Sequence, residues 1–247
     1  MSARVARYGS AVSSEAHEAE FSYQQIWETI CDRIRASILS GELPAGVKLV
    51  ENELARKYNV SRGPIREALR ELSREGLVVD LPRRGTFVCT LSQADLQEVY
   101  AVREALETVA VREAATSATD AELAAFAESY RIMDELWRGT DWNAAITADA
   151  DFHLSLVKLA KNKRLTTIYE QMGAQTVLLL VTASQSDVAL RGAPLQAIHR
   201  AIADAVVARD QDAGLLAIAD HYQYTRKRLF ETMSKGPGAE SETSVAG

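Results

Sequence analysis

The sequence predicts a mainly α-helical protein in two parts: a winged helix-turn-helix of three helices and a β-hairpin, then an all-α helical bundle. Three observations carry this. Apolar residues recur at helical spacing along almost the whole chain. One short stretch, Leu77–Cys89, instead reads as two strands around a turn at Pro82–Gly85. From Leu91 onward helix follows helix with no strand signal.

The first helix is expected over Tyr23–Leu39, with Ile26, Ile30, Ile34 and Ile38 four apart on one face and Gly41 ending it. A loop with Pro44 and Gly46 leads to a short helix near Asn52–Tyr58, stopped at Asn59 because asparagine tolerates left-handed geometry. Ser61 opens a further helix whose buried stripe is Ile65, Ala68, Leu69 and Leu72, and Gly76 ends it. Strands Val78–Leu81 and Thr86–Cys89 follow. The later helices are expected at Ser92–Ser117, Asp120–Arg138, Asp141–Lys161, Leu165–Ser184, Ala193–Arg209 and Asp212–Ser234. The organisation read from this is a mobile tail over 1–20, a first domain over 21–90, a second over 91–234, and a disordered tail over 235–247.

At 247 residues the chain is long enough for two cores. No apolar run approaches a membrane span, so no membrane partner is expected, and two distant cysteines suit a reduced, cytoplasmic protein. Cys31 and Cys89 form no metal or redox spacing. Net charge is −6, which argues against a nucleic-acid partner until it is divided. Phe21–Thr90 holds 11 Lys/Arg against 9 Asp/Glu, whereas Leu91–Gly247 holds 15 against 22. The acid lies outside the helix-turn-helix, and that asymmetry is the informative quantity.

A short helix, a tight turn and a second helix place the start of the second in a DNA major groove. Ser61 can cap that helix, and its free amides suit a phosphate. Arg62 and Arg66 are four apart and project from one face, opposite the apolar stripe. Arginine can bond a guanine edge through two hydrogen bonds, at roughly 1–3 kcal/mol of discrimination. Arg83, Arg84 and Gly85 form a basic tip on the hairpin. The competing reading makes the arginines a solvated face paired with Glu67 and Glu71.

Of the four histidines, His17 lies in the tail, and His153, His199 and His221 fall in helices of the second domain. Asp149 precedes His153 by four residues on a face that also carries Ile146, Ala150 and Val157. A buried carboxylate needs a partner or a metal. Three imidazoles and a carboxylate suit a divalent first-row ion, with zinc foremost and nickel or manganese also compatible. The residues alone leave open hydrogen-bonded core histidines.

The segments E-L-A at Glu53–Ala55, V-S-R-G-P-I-R-E-A-L at Val60–Leu69, E-G-L at Glu75–Leu77 and R-G-T-F-V at Arg84–Val88 resemble the winged helix of GntR-family regulators. That resemblance implies DNA contacts at Ser61, Arg62, Gly63, Arg66, Arg84 and Gly85. Many members carry arginine just before E-L-A; here Asn52 stands there and can still bond a phosphate or an adenine. D-A-D-F-H at Asp149–His153, with His199 and His221, resembles the FCD domain of the FadR branch. This resemblance implies a metal held by Asp149, His153, His199 and His221 at the floor of an effector pocket, and argues against a fatty-acyl effector. Arg103 matches a pocket arginine that can hold a carboxylate, in competition with an ion pair to Glu107. Asn162 matches a position read as a helix boundary.

The expectation from sequence is therefore a homodimeric, metabolite-responsive transcription regulator and not an enzyme. It would bind a palindromic double-stranded DNA operator, act as a repressor, and be switched by a small carboxylate. Two alternatives remain at this stage: a metal-dependent enzyme acting on a small carboxylate, and a constitutive DNA-binding protein with a structural metal.

Overall fold

The computed structural model describes residues 11–184 and 193–235, with side chains over 23–182 and 194–233. The chain divides into two compact units that meet in sequence at Cys89–Thr90, with the turn Leu39–Gly41 grouped with the second.

The first unit opens with α1 (Ala11–Leu39). Residues 11–20, expected as tail, continue this helix backwards by more than two turns. Ile30, Ile34 and Ile38 are buried as the spacing requires, but Ile26 is 40% exposed, so the apolar face stops one turn short of the expectation. The loop then supplies a strand the sequence did not announce, β1 (Lys48–Leu49). Two residues show no alternation, which is why periodicity missed it.

Helix α2 (Glu51–Tyr58) ends at Asn59, which sits at φ 53°, ψ 50° and turns the chain as predicted for a left-handed cap. Helix α3 (Arg62–Arg74) starts after Ser61, with Pro64 tolerated in the first turn because no helical partner awaits its missing N–H. Ile65, Ala68, Leu69 and Leu72 are buried at 4% exposure or less.

Strands β2 (Val78–Leu81) and β3 (Gly85–Val88) form an antiparallel hairpin, and β1 adds to the free side of β3, giving the order β1-β3-β2. Its three-residue tip puts Arg83 at φ 63°, and Gly85, the first residue of β3, is at φ 100°. Gly85 is favoured by its positive φ; a Cβ there would lie 3.2 Å from Lys48 Cε, the end of a flexible side chain that can shift.

In the second unit the described residues form six helices: α4 (Gln93–Ser117), α5 (Asp120–Arg138), α6 (Trp142–Leu159), α7 (Lys163–Ser184), α8 (Ala193–Val207) and α9 (Gln211–Lys235). Lys235, read as the first residue of a disordered tail, closes α9; residues 236–247 lie outside the described part. Capping boxes at Ser92/Asp95 and Thr119/Glu122 fix the starts of α4 and α5. Asp141 caps α6, and the Asn162 side chain accepts from Leu165 N at the start of α7, the boundary role read for it. Helix α6 packs between α4, α5 and α7, and α9 packs on α4 and α8. The three predicted histidines come from α6, α8 and α9, and these packings bring them together.

Candidate functional site

In the first unit, Asn52, Ser61, Arg62, Arg66, Arg83, Arg84 and Gly85 are all exposed, and Gly63 is half-buried. The arginines do not pair as either sequence reading expected. Glu67 and Glu71 bond Arg70 and Arg74 instead. Arg62 and Arg66 both converge on Glu51 at the start of α2, with Arg62 Nη2 at 2.8 Å and Arg66 Nε at 2.9 Å from the same oxygen. Burial raises the Glu51 carboxyl, but the two guanidiniums outweigh it and hold the group below the usual carboxylate range. Exposed ion pairs of this kind contribute little, so the two arginines are held side by side yet can be exchanged.

Ser61 has the extended backbone of an N-cap, but its hydroxyl makes no cap bond. A Cβ at Gly63 would lie 2.9 Å from Tyr23 Oη, the tip of an exposed side chain that can swing aside. The Arg84 guanidinium lies over the Phe87 ring at 5.9 Å, which braces the wing tip.

In the second unit, His153, His199 and His221 are at most 4% exposed, and one ring nitrogen from each lies within 4.8 Å of the others. His153 Nε2 faces His199 Nε2 at 3.3 Å. Asp149 Oδ1 is 3.2 Å from His199 Nε2, but it stands outside the mutually close set of three imidazoles and joins it only through His199. Burial pushes the His199 imidazole down to about 4, and burial with the neighbouring His153 and His199 pushes His221 well below its ordinary value. Both rings are therefore neutral at pH 7, the form that binds metals.

Sequence reasoning treated Glu107 only as a rival partner for Arg103; its placement is more central. Glu107 is fully buried and accepts from Tyr169 Oη and Tyr222 Oη at 2.5 Å each, and from Arg103 Nη2 at 3.3 Å. Its second oxygen lies 2.7 Å from His153 Nδ1. Burial opposes the charge, but His153, Arg103 and Tyr169 outweigh it and bring the carboxyl down to about 2. Glu107 falls one turn after Arg103, so the Arg-x-x-x-Glu spacing was legible; its reach to a residue 46 positions away was not. Arg103 makes that ion pair and also bonds Tyr169 Oη at 2.5 Å.

A cavity of about 20 Å³ adjoins the cluster, lined by Arg103, Asp149 and His221 together with Trp137, Trp142 and Thr225. That is room for about one water. Two buried polar atoms on its lining residues, Trp137 Nε1 and His221 Nδ1, have no hydrogen-bond partner. Buried polar groups are nearly always satisfied, so this orphaned pair, beside neutral imidazoles and a carboxylate, fits a site for a cation and a polar ligand.

The domain family FCD matches residues 98–224, and the family described as bacterial regulatory proteins, gntR family, matches residues 26–88. A protein of Paenarthrobacter nicotinovorans named "Probable D-xylose utilization operon transcriptional repressor" is 34% identical over 190 residues, covering 77% of this chain and 82% of that protein. A gluconate operon transcriptional repressor of Bacillus licheniformis is 29% identical over 139 residues, 56% of this chain and 57% of that one. Among solved structures, a GntR-type protein from Rhodococcus sp. RHA1 superposes with TM-score 0.73 at 24% identity, over 83% of this chain and 97% of that one, which supports the fold.

A winged helix-turn-helix followed by a helical FCD domain defines a DNA-binding transcription regulator, a class of regulators and not of enzymes. The chain belongs to the GntR family. Among its described residues no helix is long and apolar enough to cross a membrane.

Proposed function

We propose that this chain is a metabolite-responsive repressor that binds a palindromic operator as a homodimer and is switched by a small carboxylate held at a divalent metal site. The observation that carries the switch is the convergence of His153, His199 and His221, with Asp149 beside them, on a cavity that holds unpartnered polar atoms. Asp149, His153, His199 and His221 would hold the ion, with zinc foremost and nickel or manganese compatible. A bound divalent cation supplies Lewis-acid attraction for a carboxylate. Glu107 fixes the His153 ring through Nδ1, which leaves Nε2 turned to the other histidines. Arg103, already at the cavity wall, supplies a second cationic contact for the ligand.

The cavity is smaller than any carboxylate effector, so entry must displace lining side chains, which come from all six helices α4 to α9. A ligand that favours the displaced arrangement shifts the population of states, which is the requirement for a switch. The gluconate operon named for one relative concerns a hydroxy-carboxylate, a compound of the proposed class.

On the DNA side, Arg62 and Arg66 read guanine edges, and Ser61, Gly63 and the α3 N-terminus approach a phosphate. Asn52 stands beside Glu51 at the same end of α2, while Arg83, Arg84 and Gly85 carry the wing to the minor groove or backbone. Protein two-fold symmetry would be mirrored in a palindrome.

The test is a thermal-shift screen of small carboxylates against metal-loaded and chelator-treated protein, since a ligand of the folded state raises apparent stability. The expected result is a stabilising carboxylate whose effect vanishes on chelation and which weakens operator binding. The small cavity favours a second reading, a purely structural ion in a constitutive DNA-binding protein. Metal-dependent stability with no response to any carboxylate would support that one instead.

A further inference from the structure

The lining of the cavity beside the histidine cluster is of two kinds. Arg103, Asp149, His221 and Thr225 are polar or ionic. The rest, Tyr100, Trp137, Trp142, Ile146, Leu180 and Leu195, are aromatic or aliphatic. Within this second group the Trp137 Nε1–H is a buried donor with no acceptor. Trp137 and Trp142 stand edge against face, their rings 5.0 Å apart with an interplanar angle of 88°.

Such a lining discriminates among carboxylates. An open-chain polyhydroxy acid would press hydroxyls against indole, leucine and isoleucine, and a buried hydroxyl without a partner weakens binding. An aliphatic acid would suit the apolar residues but leave the Trp137 donor buried and unpaired. A flat aromatic ring carrying an oxygen does neither. Its face and edges match rings that already pack edge to face, an attraction beyond area burial alone. It has no internal torsions to freeze, and the oxygen can accept from Trp137 Nε1.

Room for a ring comes from Trp142. At about 20 Å³ the cavity holds none as it stands. Trp142 is half-buried, whereas Tyr100, Trp137, Ile146 and Leu195 are buried. It is the first residue of α6, next to the short connection from α5, so its indole has a way out towards solvent. Turned outward, it leaves beside Trp137 a slot of an aromatic ring's own thickness. Arg103, bonded to Glu107 and Tyr169, stays as the ionic end of that slot.

We propose that the ligand of this site is an aromatic carboxylate, its carboxylate at the imidazole end and its ring in place of the Trp142 indole, against Trp137. The proposal rests on the metal-carboxylate reading above and names the chemical class within it. Specificity is then set by Trp137, through its ring and its N–H, and by Trp142, the side chain the ligand displaces. Two of the chain's three tryptophans line this cavity and Trp27 lies in the other unit, so binding carries a spectroscopic signature.

The test titrates the metal-loaded full chain with benzoate, 3- and 4-hydroxybenzoate, cyclohexanecarboxylate and gluconate. Thermal shift reads every acid, and tryptophan emission also reads benzoate. Benzoate should bind about fivefold or more tighter than cyclohexanecarboxylate, which has its size without its π faces. One hydroxybenzoate should bind tighter still, and gluconate weakest. Benzoate should shift the emission to the red as Trp142 meets water, and Trp142→Phe should abolish that shift while still binding benzoate. Trp137→Phe keeps a ring and removes the N–H. It should erase the hydroxybenzoate's advantage, up to about tenfold, and hold benzoate within a factor of about three, which also shows that the variant folds. Cyclohexanecarboxylate or gluconate binding as tightly as benzoate would overturn the aromatic class and leave the metal-carboxylate reading standing. Benzoate binding undiminished by a chelator would overturn the metal reading and keep the aromatic slot. Bound benzoate that leaves the emission unmoved would overturn the placement of its ring, and no response to any of these acids would overturn both readings.

Discussion

Glu107 Oε2 lies 2.7 Å from His153 Nδ1, and both side chains are fully buried. A carboxylate behind an imidazole fixes the ring's orientation and tautomer and makes its other nitrogen a better ligand. Three further donors, from Arg103, Tyr169 and Tyr222, hold that carboxylate in place. Glu107→Gln keeps the shape and removes the charge. It should lower metal affinity by roughly 10–100-fold, as loss of such a partner does elsewhere. Competition with a chromophoric chelator measures this, and unchanged affinity in a folded variant would remove Glu107 from the metal site.

Metal removal makes stability depend on pH in a defined direction. His199 titrates near 4 in the folded chain and near its ordinary 6.5 when unfolded, and His221 is also shifted down. Between these values the unfolded state binds more protons, so stability rises with pH. For the chelator-treated protein, the urea midpoint should hold above about pH 6.5 and fall as pH drops from there towards 4. Bound metal, which competes with protons for the same nitrogens, should shift the decline to lower pH. A chelated protein equally stable at pH 4.5 and 7 would contradict the burial argument.

Much of this was legible in the chain because long amphipathic helices announce their buried faces. The stripe at Ile65, Ala68, Leu69 and Leu72, and the inward positions of His153 and His199, follow from spacing alone. Strand β1 was not legible, since two residues have no period and their partner strand β3 comes only after two helices and β2. Nor was the N-terminal extension of α1, whose residues 11–20 lack an apolar stripe. Glu107 and Glu51 were missed for a different reason. Each bonds partners from another helix, and side-chain pairing between elements leaves no mark in the spacing of either.

Arg66 is expected to carry operator reading. It is half-exposed, it projects opposite the buried stripe of α3, and its ion pair among the described residues is with Glu51. Arg66→Ala should cost the operator about 1–3 kcal/mol, roughly a 5–150-fold weakening, with little change on random duplex. Effector-induced thermal shifts should be unaltered, because the cluster lies in the other unit. Equal operator affinity for mutant and parent in a gel-shift titration would sink this role.

Glu51 sets the last prediction, because one carboxylate holds both arginines of the reading helix. On DNA those guanidiniums must give up Glu51 at least in part, since a guanine edge or a phosphate takes the same donors. If Arg62 and Arg66 read DNA as proposed, the carboxylate would face a polyanion as a negative charge. Glu51→Gln removes that repulsion and should tighten binding to random duplex severalfold, with a steeper dependence on salt as one more net positive charge displaces counterions. The paired geometry of Arg62 and Arg66 is lost with the charge, so the preference for operator over random sequence should fall. Salt titrations of both complexes separate these effects. Random-duplex affinity that does not rise in Glu51→Gln would show that this carboxylate stays clear of DNA.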